Sequence, residues 1–168
     1  MLRVFALSLL LLILISGNAF AQNCGWGPTK WGMSVEDVQK ATQLKLTKTS
    51  KASDEHTFKQ YSAKLNIHAV PYKAKFVFST DNELHRIEFE LDRDTQLAAN
   101  VLRNLRQDLV NKYGAVADSE KRSSGDVTFM WVSKCSIISL ALFPGAKSGN
   151  DLLYLTYEMN LGALDNEL

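Results

Sequence analysis

Asn82-Glu83-Leu84-His85-Arg86-Ile87-Glu88-Phe89-Glu90, residues 82–90, begins as turn chemistry and passes into alternation. Ile87, Phe89 and the following Leu91 fall on one side of an extended chain, while Arg86, Glu88 and Glu90 fall on the other. A strand with one apolar and one charged face belongs to a sheet that is wet on one side, hence an antiparallel sheet. The stretch has a counterpart 68 residues later, Asn150-Asp151-Leu152-Leu153-Tyr154-Leu155-Thr156-Tyr157-Glu158. Asn, Leu and the final Glu are identical, and Glu/Asp, Ile/Leu and Phe/Tyr are similar. Two explanations stay open: an internal repeat, or two hairpins that share the same turn-then-strand pattern.

Further strands lie on either side. Leu65, Ile67 and Ala69 alternate in Lys64 to Val70, and Ala74, Phe76 and Phe78 alternate in Lys73 to Ser79, with Pro71 separating the two. Thr80 to Glu83 is the turn that leads into Leu84 to Leu91. Upstream, Ser34-Val35-Glu36-Asp37 is a capping pattern, and Met33 with Val38 forms a hydrophobic staple, so a helix is expected over 35–42. Leu44-Lys45-Leu46 is extended, with room for an extra strand near residue 45, and Thr47 to His56 is polar enough for a loop. Downstream, Asp94 or Thr95 can cap a helix that ends at Tyr113, with Gly114 as its C′ residue. Leu97, Ala98, Val101, Leu102, Leu105, Leu109 and Tyr113 form its apolar stripe. A polar loop through Ser123-Ser124-Gly125 follows, then strands over 127–133, 136–143 and 152–158. The order α-β-β-β-α-β-β-β predicts an α+β domain of two layers, an antiparallel sheet with two helices on one face and a candidate duplicated α-β-β-β unit.

Gly32-Met33-Ser34-Val35-Glu36-Asp37-Val38 resembles the Gly-Met-Ser/Thr-x-x-x-Val helix start of the small outer-membrane-assembly lipoproteins of the SmpA/OmlA type. The α-β-β-β unit is similar to the β-lactamase-inhibitor-like fold that these proteins share. The motif covers seven residues, and the remainder of the resemblance is element order. No lipidation box precedes Cys24, and no Leu-Gly-x-Pro follows the first helix. The resemblance therefore implies the fold more than a role in outer-membrane assembly.

The first 21 residues have the three parts of a secretory signal: Arg3, the apolar run Val4 to Ile15 broken only by Ser8, and the A-x-A site Ala19-Phe20-Ala21. An apolar run this short does not span ~30 Å of hydrocarbon. Residues 1–21 are thus expected to be a signal peptide and 22–168 a single exported domain, periplasmic or secreted. Loss of Arg3 from 19 Lys+Arg leaves 18 against 18 Asp+Glu, a formal charge of zero. Zero charge gives neither a nucleic-acid footprint nor steering to anionic membranes. Cys24 and Cys135 are the only cysteines. In an oxidising compartment an even pair reads as a disulfide.

No G-x-S-x-G, H-E-x-x-H, glycine-rich phosphate loop or Cys-x-x-Cys is present. His68 and His85 could meet Asp54 or Glu55 at a metal, or His56, His68 and His85 could be unrelated surface groups, the reading preferred here. Asp126 beside Ser123 and Ser124 has no histidine near it in sequence to complete a triad. No catalytic residue, metal or cofactor is assigned. The aromatics are the better lead, because exposed aromatics anchor interfaces while alternating ones such as Phe129 and Trp131 pack cores. Trp26, Trp31, Tyr72 and Tyr154 are the candidate partner contacts, with the two tryptophans read first as pins for the start of the fold. The expectation is a non-enzymatic binding module for a protein of the cell envelope. The alternative is a binder of a small molecule or peptidoglycan fragment, in a pocket between helix and sheet.

Overall fold

The computed structural model describes residues 24–49, 58–91, 97–145 and 151–164. The expected signal segment, His56 and the expected Asp94/Thr95 cap lie outside the described residues. The element order is α1 (Val35–Thr42), β1 (Thr47–Lys48), β2 (Lys59–Ile67), β3 (Val70–Phe78), β4 (Leu84–Leu91), α2 (Ala98–Tyr113), β5 (Asp118–Lys121), β6 (Val127–Val132), β7 (Ser136–Phe143), β8 (Leu152–Met159) and α3 (Leu161–Leu164). The fold is α+β, with one eight-stranded sheet in the order β1-β2-β3-β4-β8-β7-β6-β5. Every neighbouring pair is antiparallel. Each half of the chain supplies a helix and then four strands. The halves meet along β4 and β8 and run outward to β1 and β5 in the same sequence order.

Each half thus has one strand more than the α-β-β-β expectation. β1 lies close to the extra strand allowed near residue 45, and β5 falls inside the stretch expected to be loop. All residues of β1 and β5 are exposed. Neither therefore carries the apolar alternation by which a strand is recognised in sequence.

Register explains the core. Tyr61, Phe76, Ile87, Tyr157, Ile138 and Trp131 stand opposite one another in turn across six strands. The next row of the same parity is Ala63, Ala74, Phe89, Leu155, Leu140 and Phe129. These rows belong to one hydrophobic cluster that also holds Val35 and Val38 of α1 and Ala98, Val101, Leu105 and Leu109 of α2. Phe76, Phe89, Ile87 and Ile138 are fully buried, and each such side chain contributes about 1.5–3 kcal/mol relative to exposure.

Local chemistry sets the ends of the elements. Ser34 Oγ accepts from the Asp37 backbone N–H at 3.1 Å and donates to Asp37 Oδ2 at 2.9 Å, so it caps α1. α1 closes at Gln43, which takes the left-handed conformation (φ 59°). α2 ends at Gly114, whose N–H bonds back to Val110 O at 2.9 Å.

The β2–β3 boundary differs from the expectation. His68 and Ala69 form the turn, with φ of 49° and 66°, and Pro71 lies inside β3 rather than between strands. Two residues at positive φ make the tight turn whose twist suits a hairpin. In such a hairpin the flanking pair, Ile67 and Val70, is the hydrogen-bonded one, so Pro71 in the next pair turns its nitrogen away from β2. On that side the last described pair is Tyr72 with Leu91, so the missing N–H of Pro71 interrupts no β3–β4 pair among the described residues.

Residues 24–33 form a strap across both halves. Cys24 and Cys135 are bonded, with Cα atoms 5.3 Å apart, which ties the start of the fold to the β6–β7 turn. Trp31 donates its backbone N–H to Cys24 O at 2.8 Å and its indole N–H to Ser136 Oγ at 3.0 Å. Gly32 and Met33 exchange backbone hydrogen bonds with Leu84 at the head of β4. A Cβ on Gly25 would run into the Thr29 carbonyl, so the tight turn there requires glycine. Beside the disulfide, hydrogen bonds that join Trp31, Gly32 and Met33 to β7 and β4 hold the end of the strap. No helix among the described residues is long and apolar enough to cross a membrane.

Candidate functional site

The strand residues of opposite parity to the core rows make a second, polar face. Its rows are Lys64, Lys73, Glu90, Tyr154, Ala141 and Thr128, then Ser62, Lys75, Glu88, Thr156, Ser139 and Met130. A concavity of about 220 Å³ opens on this face, lined by Thr49, Gln60, Ser62, Lys73, Lys75, Glu88, Glu90 and Tyr154. Thr49 and the β2 residues Gln60 and Ser62 lie on one side, Glu88 and Glu90 of β4 with Tyr154 of β8 on the other, and the β3 lysines between them.

Lys75 Nζ is ion-paired with Glu88. Arg86 Nε lies 2.9 Å from the other oxygen of Glu88 but off the hydrogen-bond axis, so the pair is held by charge rather than by a directed bond. The Tyr154 phenol is pushed above its usual range by burial first, then by the Glu90 and Glu88 carboxylates. It stays protonated at neutral pH and can donate a hydrogen bond.

At one end of the face a β-bulge aims two consecutive side chains. Val77 faces Arg86 and Phe78 faces Leu84, which leaves His85 as the extra residue. His85 Nε2 lies 3.7 Å from Glu158 Oε1, and its ring stacks on Phe58 at 5.6 Å. These groups, with Val77 and Arg86, line a smaller hollow of about 150 Å³. His68 sits instead in the β2–β3 turn, 3.5 Å from Asp108 of α2. The length of β3 separates the two histidines by roughly 25 Å, at ~3.3 Å per residue. Among the described residues no three His, Cys, Asp or Glu side chains converge as a metal site.

The sequence-predicted contacts are not brought together. Trp26 packs its ring 4.7 Å from Phe89 of the core. Trp31 is half-buried and bonded to Ser136. Tyr72 is 1% exposed and presents no surface to a partner, because its strand position is of core parity. Tyr157 and Trp131 are likewise core residues, and Trp131 donates its indole N–H to Gly114 O at 3.2 Å. Tyr154 alone of the four lies on the polar face. A hollow between α2 and the sheet exists, lined in part by Ile67, Tyr72, Val101 and Leu105, but it is about 70 Å³, well below the roughly 300 Å³ of small-ligand pockets.

Sequence reasoning missed Lys73, Lys75, Glu88 and Glu90 as one constellation. Their alternation was legible, whereas their convergence depends on which strands pair. The chain matches no family model, no curated protein and no solved structure.

Proposed function

We propose that the chain is an exported, non-enzymatic binding module that recognises a protein partner of the cell envelope on the polar face of its sheet. In this reading both helices cover the core face as one layer and leave the other face open. The observation that carries it is the open concavity on the polar face, which brings the lysines of β3, the glutamates of β4 and Tyr154 together. An open polar patch with an aromatic anchor suits a protein surface better than it suits a small ligand, which needs enclosure. The signal-like N-terminus and the bonded cysteine pair support an oxidising compartment, periplasmic or extracellular. The resemblance of Gly32–Val38 to the SmpA/OmlA type supports the same location, with Ser34 capping a helix where that motif begins one.

The test is affinity capture from an envelope extract with the wild-type chain and with a Lys73→Glu/Tyr154→Ala variant of unchanged thermal midpoint. A specific partner should be retained by the wild type and lost by the variant; equal retention would place recognition elsewhere. The small-molecule alternative rests on the same concavity and predicts a thermal upshift with a low-mass ligand in the absence of any protein.

A further inference from the structure

We infer that the Asp118 carboxylate is an autoinhibitory latch on the open edge of the sheet: it holds the outward N–H of Ser119, the donor that a second copy of the chain needs to add its own β5 alongside. This edge is separate from the polar face and does not depend on what binds there. β5 is the outer strand at one end of the sheet, and all four of its residues are exposed. Such an edge presents backbone groups on which another chain can pair. Which groups face outward follows from the ladder. The Arg122 N–H donates to Asp126 O at 2.9 Å, and the β5–β6 register continues that pairing through Glu120–Thr128 and Asp118–Met130. Hydrogen-bonded pairs alternate along an antiparallel ladder, so Ser119 and Lys121 turn their N–H and C=O groups outward. The Ser119 N–H is nevertheless taken, by Asp118 Oδ1 at 2.8 Å.

In a symmetric antiparallel pair of β5 strands the axis passes through Ser119, Glu120 or Lys121, because outward groups must meet outward groups. The Ser119 N–H then faces Ser119, Lys121 or Ser123 of the second copy, so each register calls on the donor that Asp118 holds. Charge sorts the three further. With the axis at Ser119, Asp118 stands opposite Glu120 twice; with the axis at Glu120, that residue stands opposite itself. Like charges directly across from each other are unfavourable. With the axis at Lys121, the lysines meet across the wider, hydrogen-bonded spacing, and Glu120 stands opposite Arg122 of the second copy twice. Within one chain Arg122 already bonds Glu120, at 2.8 and 3.3 Å, so this register exchanges that pair for its twin across the axis. Charge leaves one register open, and the Asp118 contact closes it.

The test uses the chain with its disulfide intact, compared with its variants by sedimentation velocity over a concentration series and by hydrogen exchange. Asp118→Ala removes the acceptor and releases two symmetry-related donors per dimer. Self-association should tighten by about tenfold or more over the wild type, the effect of two modest hydrogen bonds. The amides of Ser119 and Lys121 should gain protection at the concentrations where dimer forms. Asp118→Asn keeps an acceptor oxygen without the charge and should behave as the wild type does. Adding Arg122→Glu to Asp118→Ala sets an acid opposite Glu120 in the remaining register and should abolish the gain. Thermal midpoints should stay unchanged, because β5 buries no side chain. Equal association of the wild type and Asp118→Ala overturns the inference, as does a wild type that already pairs through β5. Association of Asp118→Asn as strong as that of Asp118→Ala would also sink it, since charge rather than the hydrogen bond would then close the edge. A dimer that survives Arg122→Glu, or that protects amides away from β5, counts against it equally.

Discussion

Trp26 and Trp31 show how one residue type can do two different jobs within a few positions. Trp26 fills space against Phe89, and Trp31 spends its polar atom on Ser136 across 105 positions of sequence. The disulfide fixes the segment between them to the β6–β7 turn. Replacing Cys24 and Cys135 by Ala should lower stability by about 2–5 kcal/mol, as for native bridges in small exported domains. Urea unfolding measures this, and thiol titration of the unreduced protein should find no free cysteine. Because hydrogen bonds also hold the strap, tryptophan fluorescence of the folded double variant should red-shift only slightly; a shift to a fully solvated indole would show that the disulfide alone holds it. Tyr72 makes a second residue-scale prediction. Its buried phenol is pushed from 10.0 up to about 12 by desolvation. Below pH ~10 both states keep the proton and stability is unaffected, whereas between about 10 and 12 the unfolded chain releases it first. Stability should fall over that window, and Tyr72→Phe should make the fall shallower in urea unfolding at a series of pH values.

At the scale of elements, the β2–β3 hairpin carries a cost that substitution can remove. Left-handed backbone at His68 and Ala69 costs roughly 1 kcal/mol or more for residues with a Cβ. A His68→Asn/Ala69→Gly variant supplies the residues this turn prefers. It should gain about 1 kcal/mol, read as a higher urea midpoint at constant slope. A loss of stability would mean that the His68–Asp108 contact outweighs the backbone term. The same hairpin shows what sequence can and cannot reveal about an element. The alternation around residues 84–91 and 152–158 identified β4 and β8 because buried and wetter positions alternate through 87–91 and 152–158, the bulge at His85 being the one break. The β2 boundary was displaced because His-Ala is not a usual turn signal and Pro71 is. β5 was illegible because an edge strand of charged residues has the composition of a loop. The polar face was half legible: Arg86, Glu88 and Glu90 stood out as a wet side, but their lysine counterparts on β3 joined them only through register.

At the scale of the whole molecule, the two halves set their strands in the same order from the seam outward. Glu88 and Thr156, 68 residues apart, stand opposite each other at the middle of the seam. The offset that relates the two quoted stretches therefore also relates residues paired across the seam. β4 and β8 have neighbours on both sides and carry Ile87, Phe89, Leu155 and Tyr157 into the core, while β1 pairs with β2 at two positions only. Local opening free energy follows buried contact and backbone pairing, so it should fall from the seam outward in both halves. Native-state hydrogen exchange should find the slowest amides in β4 and β8, at rates set by global unfolding. β1 and β5 should exchange fastest among the strands. The disulfide adds an asymmetry, since it anchors the β6–β7 turn but not the β2–β3 turn. Reducing it should speed exchange at Ser133 to Ile137 and at Trp31 before it changes β2 or β3. Uniform acceleration across both halves would show that the sheet opens as one unit and that the strap guards the whole of it.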